Sequence, residues 1–315
     1  MSFASILSSE EIILAEGAVL ERLRRDASVT LDRHVLHTAL IYSEGGQRRL
    51  GDIYREYIEV GRMFSLPIIM FTPTWRANTE RLNAAGFEAA MDVNGDAVRF
   101  LTRLRDGYGE YGTRILIGGL LGCKGDAYVA REALSRDEAA QFHRFQIRAL
   151  VKAGVDFLAA ATLPAESEAL GLADAMAETG VPSVLSVVLR ADGSMLDGTP
   201  LHTFVERADA EVSPRPAFYM VNCTHPAVFI RGMTVVATHA PHVIWRVIGL
   251  QANTSMRPPE ELDGREQLDA GDPMLLVETM LGLRKSFGTR ILGGCCGTDR
   301  RHMLGLAEHL CAKVN

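Results

Sequence analysis

Three cysteines are the residues of this sequence best placed to do chemistry. Cys295 and Cys296 are neighbours inside Gly293-Gly294-Cys295-Cys296-Gly297-Thr298, and Cys223 lies far upstream in Val221-Asn222-Cys223-Thr224-His225-Pro226. A disulfide between chain neighbours is strained, because the bridge needs a set separation and dihedral. Two adjacent thiolates can instead hold one metal ion where glycines let the backbone turn tightly. A third thiolate from another segment makes a three-sulfur set with one tetrahedral position open, which is the arrangement of catalytic rather than structural zinc. Zinc held this way is a weak Lewis acid, poorly suited to activating water and well suited to a soft fourth ligand. A thiol in that position, with an ordinary pKa of ~8.5, is deprotonated and still able to attack carbon. The chemistry is alkyl transfer to sulfur.

A scaffold must bring residue 223 to residues 295 and 296. Short apolar runs read as strands at Ile12–Ala15, Leu66–Phe71, Arg114–Gly118, Val155–Ala160, Ser183–Leu189, Ala217–Val221, Val243–Leu250 and Arg290–Leu292. Helical patterns lie between most of them, at Ala77–Ala85, Val93–Leu104, Arg136–Ala153, Glu166–Thr179, Pro273–Phe287 and Arg301–Val314. In the third of these, Ser135 and Glu138 have capping-box spacing, and Phe142, Phe145, Ile147, Leu150 and Val151 form a mainly apolar stripe that Gly154 ends. Strands alternating with helices mean a parallel sheet, and eight such units predict a closed (β/α)8 barrel with long top-face loops. No linker or repeat divides the chain, so residues 1–315 read as a single barrel domain. The excursion Asp26–Arg62 and the polar loop Gln251–Asp272 are long enough to be lids or binding loops.

Active sites of such barrels sit at the C-terminal strand ends. Cys223, Cys295 and Cys296 fall at the ends of the sixth and eighth strands, whereas Cys123 falls in a loop and Cys311 on the last helix, where burial is expected. Glu16-Gly17, Thr162, Asn222 and Asn253 fall at strand ends as well. Glu16 there is either a substrate ligand or a support for one. Trp75, after the second strand, is either a packing residue or a host for a cationic methyl donor. Arg76 beside it would oppose a cation or pair with a donor carboxylate. His225 reads as a loop histidine, His239 and His242 as members of a solvated loop, and His34 and His37 as helix-surface residues. Gly118-Gly119-Leu120-Leu121-Gly122 lacks the lysine of a phosphate loop, so its glycines read as points of close backbone approach.

Composition narrows the partners. The chain is 47% apolar and 23% charged, ample for a core, and its net charge of -6 argues against nucleic acid. No segment reaches the roughly 20 apolar residues of a membrane span, and the start of the chain lacks the pattern of a signal peptide. An odd count of 5 cysteines without framework spacing predicts a cytoplasmic protein with reduced thiols. The expected partners are a small thiol acceptor and a methyl donor, and a homo-oligomer is compatible with the sequence.

Val221-Asn222-Cys223 and Gly293-Gly294-Cys295-Cys296-Gly297-Thr298 resemble the zinc motifs of the homocysteine S-methyltransferase family. That family includes betaine- and S-methylmethionine-dependent enzymes and the homocysteine module of cobalamin-dependent methionine synthase. The similarity extends through Gly154-Val155-Asp156-Phe157-Leu158, Thr162-Leu163-Pro164, Glu168-Ala169, Asp192-Gly193, Asp197-Gly198-Thr199 and Asn253, in the family's order. The resemblance implies the same barrel, zinc on Cys223, Cys295 and Cys296, and a sulfonium or ammonium methyl donor.

Two positions depart from the family pattern. Glu16-Gly17-Ala18 stands where the family has Asp-Gly-Gly, and Ala161-Thr162 where it has Glu-Thr. The two acidic positions hold the ammonium of homocysteine in the family, so the expectation is a zinc-dependent S-methyltransferase whose preferred thiol is not homocysteine. Two alternatives stay open: a methyl group delivered by a separate corrinoid protein, and a non-catalytic zinc- or thiol-binding regulator.

Overall fold

Alternation along each strand decides what the sheet encloses. In the computed structural model, which describes residues 2–258, 261, 269 and 271–312, β1 is Ile13–Ala15 and β2 is Ile68–Phe71. Ile13, Ala15, Ile69 and Phe71 join Phe157, Ala159, Phe218 and Met220 in one buried cluster, while Leu14, Ile68 and Met70 join a second cluster that includes the helices. The first cluster is the barrel interior, and the second is the layer between barrel and helices.

The remaining strands are β3 (Ile115–Leu121), β4 (Phe157–Leu163), β5 (Ser183–Val187), β6 (Phe218–Thr224), β7 (Val247–Ala252) and β8 (Ile291–Gly294). All pair in parallel with their sequence neighbours, and β1 closes the barrel on β8 through Ile13↔Ile291 and Leu14↔Leu292. Every crossover contains helix, so the architecture is the (β/α)8 barrel read from the alternation of patterns. No described helix is long and apolar enough to cross a membrane.

Differences from the sequence reading have local causes. Phe3–Ser9 is a helix that the strand count passed over; Phe3 stacks on Phe157 at 4.7 Å and closes the barrel floor. Asp26–Arg62 contains a 3-10 turn, His37–Tyr42, and most of a helix, Glu44–Met63. His37 is not a helix-surface residue: it is 5% exposed, on the underside of that turn. Leu201–Glu211 and Pro226–His239 are helices where no helix was expected. His239 therefore ends a helix rather than belonging to a loop, and Val243 to Trp245 belong to a 3-10 turn that precedes β7. Phe145 is 53% exposed, because the buried face of its helix runs through Ala139, His143, Gln146, Ile147 and Leu150. Cys311 is half-buried rather than buried. Of the expected polar loop, residues 259, 260, 262–268 and 270 lie outside the described residues, as does Val314 at the expected end of the last helix.

Two strand ends break the pleat. The β4–β5 register shifts between Ala160 and Leu163, and the β6–β7 register shifts between Asn222 and Thr224. Inside each bulge one residue takes the left-handed region, Thr162 at φ 59° and Cys223 at φ 50°. A bulge re-aims side chains at the cost of ladder pairing, and a positive φ on residues with a Cβ needs support from the surroundings.

Candidate active site

Support for both bulges comes from one side chain. Asn222 accepts from the Thr162 backbone N–H at 3.0 Å and from Ser186 Oγ at 2.7 Å, and its Nδ2 donates to Thr162 Oγ1 at 2.7 Å. Strand parity carries Ala161 and Asn222 to the barrel axis, on the same side as Ala159 and Met220. Cys223 then turns out of the pleat toward β8.

The β8 end is pinned from three sides. Gly294 N–H donates to Glu16 O at 3.0 Å, Cys295 N–H to Ala252 O at 2.8 Å, and Thr254 N–H to Cys296 O at 3.2 Å. Thr298 Oγ1 donates to Cys295 O at 2.7 Å and accepts from Ala18 N–H at 3.1 Å. The turn is tight enough that a Cβ on Gly294 would lie 2.0 Å from Thr298 Oγ1, and Gly297 sits at φ 87°. Glycine is needed at both positions for steric reasons.

These constraints bring the sulfurs of Cys223, Cys295 and Cys296 within 4.8 Å of one another, close enough to share one ion. Cys223 and Cys295 are joined as a disulfide, with Cα atoms 5.4 Å apart. The expectation of three reduced thiols is corrected on this point: sulfurs that converge on a common centre are also within reach of each other. The bridge spans strand ends 72 residues apart and leaves the neighbouring Cys296 outside it. Cys123 is buried elsewhere, and burial pushes its thiol up to about 11.

The three cysteines open into a cavity of about 630 Å3, which Glu16, Gly17, Trp75, Thr162, Asn222 and Asn253 also line. The structure thus gathers every candidate from the sequence, with altered parts for several. Glu16 is 7% exposed, and its Oε2 accepts from the Phe71 backbone N–H at 2.8 Å. Burial pushes its carboxyl well above the ordinary range, a shift that the N–H only partly offsets. Trp75 Nε1 donates to Ala161 O at 3.2 Å, and the Arg76 guanidinium lies 4.1 Å from the Trp75 ring centroid. One cation therefore already occupies a face of the expected cation host. Asn253 accepts from Ser255 N–H at 3.1 Å, which ties its side chain into a turn. His225 accepts from Ala227 N–H at 3.1 Å as a helix cap, outside the sulfur cluster.

Three residues support the site, of which Glu21 alone goes unnamed in the sequence reading. Glu21 Oε2 accepts from Gly297 N–H at 3.2 Å, Gln251 Nε2 reaches Glu16 O and Gly294 O at 3.4 Å, and Thr298 binds Ala18 as described. Their partners lie 43 to 280 residues away, so no local pattern marks them.

A family profile described as homocysteine S-methyltransferase matches residues 13–310. The chain belongs to the homocysteine S-methyltransferase family. It is an S-methyltransferase. It is 26% identical to the homocysteine S-methyltransferase of Escherichia coli (strain K12), over 93% of this chain and 94% of that protein. Its identity to betaine–homocysteine S-methyltransferase 1 of Bos taurus is 22%, over 96% of this chain and 73% of the relative. The crystal structure of the homocysteine methyltransferase MmuM from Escherichia coli in its metallated form superposes with a TM-score of 0.76 at 20% identity, covering 97% of this chain and 98% of that one. The oxidized form of MmuM superposes with 0.77 at 21% identity and the same coverage. At these identities the superpositions establish a shared fold.

Ala161 contributes a methyl group to the cavity wall; of the acidic side chains that line the cavity, Glu16 is buried against backbone and resists ionisation, and Glu21 accepts from Gly297 N–H.

Proposed function

We propose that this protein is a zinc-dependent thiol S-methyltransferase, acting as one barrel domain, in which Cys223, Cys295 and Cys296 hold the ion in their reduced state. The observation that carries the reading is the meeting of three sulfurs within 4.8 Å at the mouth of one cavity. The donor set fits zinc: among the described residues the cluster contains sulfur only, and the tight glycine turn at Gly294 and the left-handed Cys223 aim all three ligands at one point. Bound there, zinc would supply a soft Lewis acid that keeps an acceptor thiol deprotonated near neutral pH.

The chain's own residues do the rest. The cavity is large enough for a small thiol and a small methyl donor together and falls within the range of small-molecule sites, about 300–1,000 Å3. That size favours a free sulfonium or ammonium donor over a methyl group presented by a corrinoid protein. The acceptor sulfur forms the new bond to the methyl carbon with its own electron pair. The donor heteroatom keeps the pair of the broken bond and leaves neutral. Rate acceleration comes from holding the two in line and excluding water, with Thr162, Asn222 and Asn253 fixing the wall against which they rest.

The same wall argues for an acceptor other than homocysteine. An ammonium group needs an ionised carboxylate, and at the two positions where the resemblance expects one, Ala161 carries no charge and the buried Glu16 resists ionisation. Loss of a charged hydrogen bond costs on the order of 1.5–3 kcal/mol, or roughly ten- to a hundredfold in kcat/KM. The test compares kcat/KM across thiol acceptors for wild type and Ala161→Glu. Another thiol should exceed homocysteine in the wild type, and the variant should shift toward homocysteine. A wild type that prefers homocysteine over every thiol tried would overturn the acceptor reading.

A further inference from the structure

Two arginines that line the cavity, Arg76 and Arg81, form no salt bridge among the described residues. Arg76 is 8% exposed. Its Nη1 donates to Gly125 O at 2.6 Å and Cys123 O at 3.2 Å, and lies 3.9 Å from Cys123 Sγ. Among the described residues its Nε and Nη2 have no hydrogen-bond partner, and no carboxylate pairs with it. Arg81 Nη1 donates to His34 O at 3.2 Å, again without an ion pair among the described residues. Burial, and then the charge of Arg76, pull Arg81 below its ordinary pKa, so the two cations feel each other.

The nearby acids Asp126 and Glu80 offset part of that repulsion at Arg81 from a distance, but neither forms a salt bridge with it. Glu80 pairs with Lys124 Nζ at 3.3 Å, and Asp126 Oδ1 accepts from Tyr128 N–H at 2.8 Å. A buried guanidinium whose partners are carbonyl oxygens, a thiol and an aromatic face, with no anion in contact, is costly to maintain, and a second cation beside it adds repulsion. A ligand anion placed between them would relieve both.

The geometry is held in advance. Gln146 Nε2 donates to Thr74 O at 2.7 Å, Asn94 Nδ2 to Ala77 O at 3.0 Å, and Thr74 Oγ1 to Leu120 O at 2.6 Å. These bonds bracket Arg76 on both sides within the loop after β2. The helix Thr79–Ala84, which carries Arg81, is capped by Asn78, whose Oδ1 accepts from Arg81 N–H at 3.0 Å. A planar fork that is already immobilised loses little entropy when it grips a carboxylate.

We propose that Arg76 and Arg81 form a carboxylate-binding subsite for one of the two substrates. The subsite rests on the reading of the cavity as a methyl-transfer site, and it predicts that one substrate presents a carboxylate toward the loop after β2 while its reacting atom faces the cysteines. The carboxylate belongs either to the thiol or to the methyl donor.

The test uses probes that differ in a carboxylate. Acceptors are 3-mercaptopropionate against 2-mercaptoethanol, and donors are S-methylmethionine against trimethylsulfonium. The quantity read is the ratio of kcat/KM within each pair. Wild type should favour the carboxylated member of one pair, and Arg76→Gln should reduce that ratio on the order of ten- to a hundredfold. Arg81→Gln should move the ratio in the same direction, and Arg76→Lys should restore it only in part, because an ammonium lacks the fork. A collapse in the acceptor pair assigns the carboxylate to the thiol, and one in the donor pair assigns it to the donor. Ratios that Arg76→Gln leaves unchanged in both pairs overturn the subsite.

Binding gives a readout that does not depend on turnover. With the exposed Trp245 changed to Phe, fluorescence reports Trp75, against which Arg76 is stacked. Titration with 3-mercaptopropionate or S-methylmethionine should give a saturable change that Arg76→Gln abolishes, even if no methylated product forms. No change with either probe in the otherwise wild-type protein overturns the subsite, whatever becomes of the methyl-transfer reading.

Discussion

Asn222 and Thr162 clasp each other across the barrel mouth: the Asn222 amide accepts from the Thr162 backbone N–H at 3.0 Å and donates to its hydroxyl at 2.7 Å. The clasp joins two bulges whose central residues, Thr162 and Cys223, both sit in the left-handed region. Asn222 therefore stabilises the backbone conformation that aims its neighbour Cys223 at the sulfur cluster. Asn222→Ala should lose about 2–4 kcal/mol of stability, because it leaves buried donors and acceptors unpaired. It should also weaken zinc retention. Urea unfolding and chelator competition measure the two effects, and undiminished stability would show that the bulges support themselves.

Metal content should follow placement at strand ends. Reduced protein is expected to bind one zinc per chain, whereas Cys295→Ala and Cys296→Ala should retain little. Cys311→Ala should behave as wild type, since Cys311 lies on the last helix. Because Cys223 and Cys295 cannot be bridged and serve as zinc ligands at once, the bridged protein should take up zinc only after reduction. Metal analysis before and after reductant decides this, and equal zinc in the Cys295→Ala protein would remove that residue from the site.

Chelation should separate activity from folding. The barrel has an interior cluster and an outer layer that do not involve the three sulfurs, so most helical signal in circular dichroism should survive metal removal. Methyl transfer should fall to background. Full activity after chelation would mean that the acceptor thiol is activated by some other group.

His37 makes stability depend on pH. Burial, and then the charge of Arg24, lower its pKa from 6.5 to about 3, and its Nδ1 is buried without a partner among the described residues. The folded state thus binds fewer protons than the unfolded chain between those values. The contribution is complete above the unfolded value and is lost as pH falls toward the folded one. Between pH 6.5 and about 5 the wild type should lose roughly 2 kcal/mol through this residue. His37→Asn should show a shallower loss in urea unfolding across that range, and parallel pH profiles would exclude His37 as the cause.

The sequence by itself determined the period of the elements and the types of the reactive residues. Apolar runs alternating with amphipathic ones specify eight βα units, because a parallel strand must be followed by a crossover that covers it. Barrel closure then places every strand's C-terminal end on one face, so Cys223, Cys295 and Cys296 could be matched before any distance was known. That Ala161 stands where an acid is expected follows from the family resemblance alone. Relationships without a local signal depended on the tertiary structure. The clasp of Asn222 on Thr162 spans 60 residues, and the Thr298 bond to Ala18 spans 280. The burial of Glu16 and His37, and the stacking of Arg76 on Trp75, depend on which surfaces the closed barrel and its loops bring together. Periodicity reports which face of an element is apolar. Bulges, ionisation and the balance of charge in a cavity depend on neighbours distant in the chain, and folding alone chooses those.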